Sequence, residues 1–118
     1  VTDAAGEFRA VMGAILHRLS PPVSGPAKAL LVFLGVHAVR LPSVTVLPGD
    51  PHPTLRLVWN TPGLFLDVEI LANGRCEWFY ANDAARHFEG TKEEPEASFP
   101  AAFLTRVREF SESPPHAE

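Results

Sequence analysis

Residues 69–80 read EILANGRCEWFY, two apolar-rich segments hinged on Asn73-Gly74. Asn-Gly is the strongest short hairpin signal, because both residues tolerate positive φ at low cost. As a two-residue loop it pairs Ala72 with Arg75, Leu71 with Cys76, Glu69 with Trp78 and Asp67 with Tyr80. Side chains alternate across a strand, so this register decides what each face of the sheet holds. One face collects Leu64, Leu66, Val68, Ile70 and Phe79, joined by Leu55, Leu57 and Trp59 from the preceding strand. That face is the expected core. The other collects Arg56, Val58, Asn60, Phe65, Asp67, Glu69, Leu71, Cys76, Trp78 and Tyr80.

Outward from the hinge, TLRLVWN (54–60) and LFLDVEIL (64–71) alternate around a TPG turn, and RHFEGT (86–91) suggests a fourth strand. LPSVTVLPGDPHP (41–53) carries four prolines and reads as an extended connector with a short edge strand at 44–47. Residues 3–19 space Phe8, Val11, Met12, Ile15 and Leu19 by three and four, an amphipathic helix with Asp3 as its N-cap. SPPVSGP (20–26) stops it, and Pro26 suits the first turn of a second helix capped by Ser24 or Gly25. Residues 27–39 are apolar on nearly all sides; length favours a buried helix, while Val32, Phe33 and Val36 leave a strand open. After TKEEPEA, Ser98 is placed to cap a last helix striped with Phe99, Phe103, Val107 and Phe110. The expected fold is α+β: an antiparallel three- to four-stranded β-meander packed on one face by two N-terminal helices and one C-terminal helix. Residues 1–113 form the expected single domain, with 114–118 a flexible tail.

A chain of 118 residues is the size of one ordinary domain. With 46% hydrophobic and 20% charged residues it is expected to be globular rather than disordered. A net charge of -4, with the basic residues scattered, has the wrong sign for a general phosphate binder and makes nucleic acid an unlikely partner. The single cysteine, Cys76, cannot form an intrachain disulfide, which points to a reducing, cytoplasmic setting. The longest apolar run, ALLVFLGVHAV (29–39), falls short of the ~20 residues that span a bilayer. No basic region followed by an apolar stretch marks a signal peptide, so no membrane role is expected.

Chemical signatures are sparse. Cys76, His87 and Asp83 could be drawn as nucleophile, base and orienting group, but a mid-strand cysteine is more often a small half-buried residue. Asp67 and Glu69 share a face two residues apart, as sheet surfaces routinely arrange. His37, His52, Asp50 and His87 lack metal-ligand spacing, and phosphate-cradling glycine motifs are absent. No catalytic residue, metal or cofactor is expected.

What remains is the face carrying Arg56, Phe65, Asp67, Glu69, Trp78 and Tyr80. It could be a solvated surface with cross-strand ion pairs of ~0.2–1 kcal/mol, a partner-facing patch, or a face buried under a helix. Trp, Tyr and Arg are enriched at interface hot spots, which is the ground for the partner-facing reading. The leading expectation is a non-enzymatic cytoplasmic binding protein that holds a protein partner or a second copy of itself; an antitoxin, immunity protein or phage-type inhibitor is a concrete form. The alternative is a small-molecule-binding protein or minor enzyme with a pocket between sheet and helices, lined by Trp59, Phe79 and Phe103.

The stretch from AKALLVFLG through the Asn73-Gly74 turn resembles a widespread class of small bacterial proteins of unassigned function, in which a helix and a proline-containing connector precede a strand closing on tryptophan and a glycine turn. Leu41, Pro42, Pro48, Leu57, Trp59, Leu66, Val68, Glu69 and Gly74 carry the resemblance. It implies the meander and supplies no catalytic residue.

Overall fold

β1 (Ser43–Leu47), β2 (Thr54–Thr61), β3 (Leu64–Ile70), β4 (Cys76–Asn82) and β5 (His87–Gly90) form one antiparallel sheet in chain order. The computed structural model describes residues 10, 12–48, 52–91, 94–97 and 99–111. The sheet therefore has five strands where three or four were expected, because the edge segment in the proline-rich connector and the weak RHFEGT segment both pair fully. Pro42 and Pro48 bracket β1 and limit its length, since proline cannot donate to a ladder.

The turn after β3 departs from the expected geometry. Leu71 N–H donates to the Arg75 carbonyl at 2.8 Å and Gly74 N–H donates to the Leu71 carbonyl at 2.8 Å, so the loop holds three residues, Ala72, Asn73 and Gly74. Of these only Gly74 takes positive φ, at 87°, as in a three-residue hairpin whose last position is left-handed. Asn73 instead accepts the Arg75 N–H through its side-chain oxygen at 3.0 Å. Gly74 also lies against α2 (Pro21–Val36): a Cβ there would stand 2.8 Å from the Pro22 carbonyl oxygen. The extra loop residue shifts β4 by one position and gives Leu66↔Tyr80, Val68↔Trp78, Glu69↔Glu77 and Ile70↔Cys76. Cys76, Trp78 and Tyr80 turn to the core and Phe79 turns away from it, the reverse of the expected faces. The Pro62-Gly63 loop between β2 and β3 holds two residues, with Gly63 at φ 79°, and sets Arg56 opposite Glu69.

Helices cover one face. α1, described over residues 12–16, contributes Met12. α2 begins earlier than expected, because Pro21 and Pro22 occupy first-turn positions whose N–H groups need no partner, and Pro26 lies inside the helix. Its Val23, Ala27, Leu30 and Leu34 recur at helical spacing and are buried, each contributing roughly 1.5–3 kcal/mol for the larger side chains. Val32 and Val36 stay exposed, so α2 is apolar all round but buried on one side. α3 (Ala101–Arg108) begins after Pro100 and buries Phe103 and Val107, while Phe99 precedes the helix and stacks on Phe103 at 5.5 Å. The cap expected at Ser98, Asp50, the early part of the first helix and residues 112–118 lie outside the described residues.

The core joins these helix residues to Leu55, Leu57, Trp59, Leu66, Val68, Ile70, Cys76, Trp78 and Tyr80. Trp59 meets Phe103 and Phe110 with ring centroids 6.4 and 6.2 Å apart, and its Nε1 donates to the Arg40 carbonyl at 2.7 Å. Trp59 and Phe103 are buried in this core, and Phe79 lies on the opposite side of the sheet. Among the described residues no helix is long and apolar enough to cross a membrane.

Candidate interaction surface

With the helices on one face, the other face of the sheet carries Thr45, Arg56, Val58, Phe65, Asp67, Glu69, Glu77, Phe79, Ala81 and Phe88, and no described element packs over it. Four of the six expected contact residues come together here: Arg56, Phe65, Asp67 and Glu69. Arg56 Nη2 donates to Asp67 Oδ2 at 2.6 Å, with Nε at 3.2 Å from the same oxygen. Glu69 accepts the Thr54 hydroxyl at 2.7 Å. These contacts hold two carboxylates in fixed positions on an open surface, where such pairs contribute at most about 1 kcal/mol each.

Trp78 and Tyr80 are not on this surface. Trp78 is 6% exposed, lies edge-on to Phe103 at 5.7 Å and donates its Nε1–H to Glu96 at 3.0 Å. Tyr80 is 1% exposed and donates its hydroxyl to Glu109 at 2.6 Å. Their places are taken by Phe79, which the expected register puts in the core, and by Phe88, which the sequence assigns to no face. Phe79 is 44% exposed and Phe88 60%, and the two rings stack with centroids 6.4 Å apart and planes at 21°. Phe65 extends the row, 6.2 Å from Phe79. Phe79 pairs with Gly90, where a Cβ would sit 2.5 Å from the Trp78 carbonyl oxygen, so the position beside the ring stays bare.

On the helix side, α3 is tied to β4 and β5 by a polar network. The Arg106 guanidinium lies over the Tyr80 ring at 4.5 Å and bonds both Glu89 and Glu109, and Glu89 also bonds His87. The Arg106 guanidinium, with His87 second, holds the Glu89 carboxyl down at about 2. Burial, then donation to the Glu109 carboxylate, pushes the Tyr80 phenol up. A carboxylate with a depressed pKa adds stability above its ordinary value near 4.5, and that stability is lost as pH falls towards 2. Glu89 and Arg106 remain about a quarter exposed, so solvent screening holds the contribution to about 1 kcal/mol. Glu89→Gln should therefore lower the urea midpoint at pH 7 and have a much smaller effect near pH 2; equal losses at both pH values would show that the ion pair contributes nothing.

The residues that could be drawn as a nucleophilic site are not assembled. Cys76 and Asn82 stand at opposite ends of β4, and His87 pairs with Asn82, which puts thiol and imidazole roughly 20 Å apart at the rise of a strand. Burial, with the Glu96 and Glu77 carboxylates behind it, raises the Cys76 thiol to about 11, far from a thiolate at neutral pH. Among the described residues no three His, Cys, Asp or Glu side chains are grouped to hold a metal ion. A cleft of about 590 Å³ runs along the β5 edge, walled by Trp78, Phe88, Glu89, Glu94 and Glu96.

No protein-family profile, no curated protein and no solved structure matches this chain.

Proposed function

We propose that this is a non-enzymatic protein-binding module, of the antitoxin, immunity or inhibitor kind, working in the reducing cytoplasm through the outer face of its sheet. Arg56, Phe65, Asp67 and Glu69 keep the role read from the sequence, and Phe79 and Phe88 replace Trp78 and Tyr80 as the aromatic anchors. The observation that carries this reading is the stacked, exposed Phe79–Phe88 pair on a face that none of the described elements covers. Two neighbouring aromatic rings rimmed by fixed charges match the anatomy of an interface hot spot. Partner capture from host lysate with wild type and with a Phe79→Asp, Phe88→Asp variant tests it. Circular dichroism would confirm folding and light scattering would count subunits. Losing two anchors of ~2 kcal/mol each should weaken the complex about 30-fold per anchor and up to several hundred-fold together. A folded variant that retains the partner, or the dimer, at wild-type affinity would refute this role for the face.

A second reading rests on the cleft along β5, whose volume of about 590 Å³ suits a small molecule. Thermal-shift screening of a fragment library followed by amide shift mapping would test it. Hits that perturb Trp78 and Glu96 support it, and a screen with no hit at the cleft ends it.

A further inference from the structure

We infer that the partner presents positive charge, specifically an arginine-bearing segment or surface of another protein, to the outer face; this rests on reading that face as the docking surface. Glu69 and Glu77 stand directly opposite each other across β3 and β4, an arrangement that like charge makes unfavourable. Among the described residues no cation lies within ion-pair distance of either, and the Thr54 hydroxyl is the bonded neighbour of Glu69. Arg56, the cation within this face, is already engaged by Asp67. Arg75, at the hairpin end, sends its guanidinium to the Pro95 carbonyl at 3.1 Å. The free protein thus holds two adjacent carboxylates whose repulsion a cation from outside would relieve.

The aromatic row sets the kind of cation. Phe79 follows Asp67 in register, and its open ring continues onto Phe88, so a cation drawn to the carboxylates lies beside exposed π-faces. A planar guanidinium satisfies both, forking to carboxylates and stacking on rings, where an ammonium acts as a compact point charge. The same sign recurs at the β5 edge, where Phe88 borders the cleft walled by Glu89, Glu94 and Glu96. A second copy of this chain is the poorer occupant, because Arg56 on this face is already engaged by Asp67 and each copy carries a net charge of -4. The net charge of -4 favours approach of a basic partner in the same sense.

The test is a titration of isotopically labelled protein with N-acetyl hexa-arginine amide at low salt, read by amide and aromatic-ring NMR shifts. Shifts should centre on Glu69, Glu77, Phe79 and Phe88, binding should weaken at least five-fold in Glu69→Gln, Glu77→Gln, and hexa-lysine should bind more weakly. Removing like charges leaves that variant folded, which the same spectra report. If hexa-arginine binds the double variant as tightly as wild type, or shifts only residues away from this face, the cationic assignment is overturned. Were the Phe79→Asp, Phe88→Asp variant still to lose its captured partner, the docking reading would survive that failure. If it kept the partner, both would fall.

Discussion

Trp78→Lys should leave the chain unfolded, while Phe79→Lys, one residue later, should keep it folded within about 1 kcal/mol of wild type. Trp78 is 6% exposed and packs on Phe103 beneath α3. Removing a buried aromatic ring costs about 3–5 kcal/mol, and taking an ammonium out of water in its place adds to that loss even with the Glu96 carboxylate beside it. Against a total stability of about 5–15 kcal/mol that loss is decisive. Phe79 stands 44% exposed, between Phe65 and Phe88. Its replacement forfeits ring contacts of about 0.5–1.5 kcal/mol, and the new ammonium sits in water on a face carrying Asp67, Glu69 and Glu77. Circular dichroism and urea titration of the two variants decide the matter. Tolerance of lysine at position 78 together with unfolding at position 79 would mean that the hairpin pairs through a two-residue loop after all.

Trp59→Ala should cost about 3–5 kcal/mol, enough to bring a domain of ordinary stability close to its unfolding threshold. The indole bridges β2 to Phe103 of α3 and to Phe110, and its N–H holds the Arg40 carbonyl of the connector. Truncation therefore opens a cavity and leaves a carbonyl without its donor. Trp59→Phe separates the two effects: it fills most of the space but strands the carbonyl, at about 1–3 kcal/mol. Urea midpoints should rank wild type above Trp59→Phe above Trp59→Ala. A phenylalanine variant as stable as wild type would show that the bond to Arg40 contributes nothing, and a small loss for the alanine variant would show that the interior contains the pocket the sequence first suggested.

Much of the fold was legible in the sequence because alternation and proline placement act locally. Leu55, Leu57 and Trp59 alternate with Arg56 and Val58 as a half-buried strand must, and the structure buries the first set. The short edge strand between Pro42 and Pro48 was legible for the same reason. Helix starts were harder: Pro21 and Pro22 open α2, and Pro26, the strongest apparent start signal, lies within it. The face of β4 was not legible from the turn, because Asn-Gly suits a two-residue loop while the chain forms a three-residue one. Under that register Glu77 would join Phe79 in the core, and burying a carboxylate without a partner is expensive. The three-residue turn puts Cys76, Trp78 and Tyr80 inside and Glu77 in water, so Glu77 was the residue whose chemistry could have selected the register. The exposure of Phe88 was not legible because its strand is only four residues long, too short for alternation to assign a face. The polar network of Tyr80, Glu89, Arg106 and Glu109 joins residues far apart in sequence, and no spacing rule anticipates it.

Everything proposed for the outer face depends on which side of β4 meets solvent. A soluble paramagnetic agent added to the free protein reads this directly, by broadening the proton resonances that water can reach. The ring protons of Phe79 and Phe88 should broaden strongly, while the indole N–H of Trp78, bonded to Glu96, stays sharp. A broadened Trp78 indole beside protected Phe79 and Phe88 rings would contradict the register, and with it the docking surface.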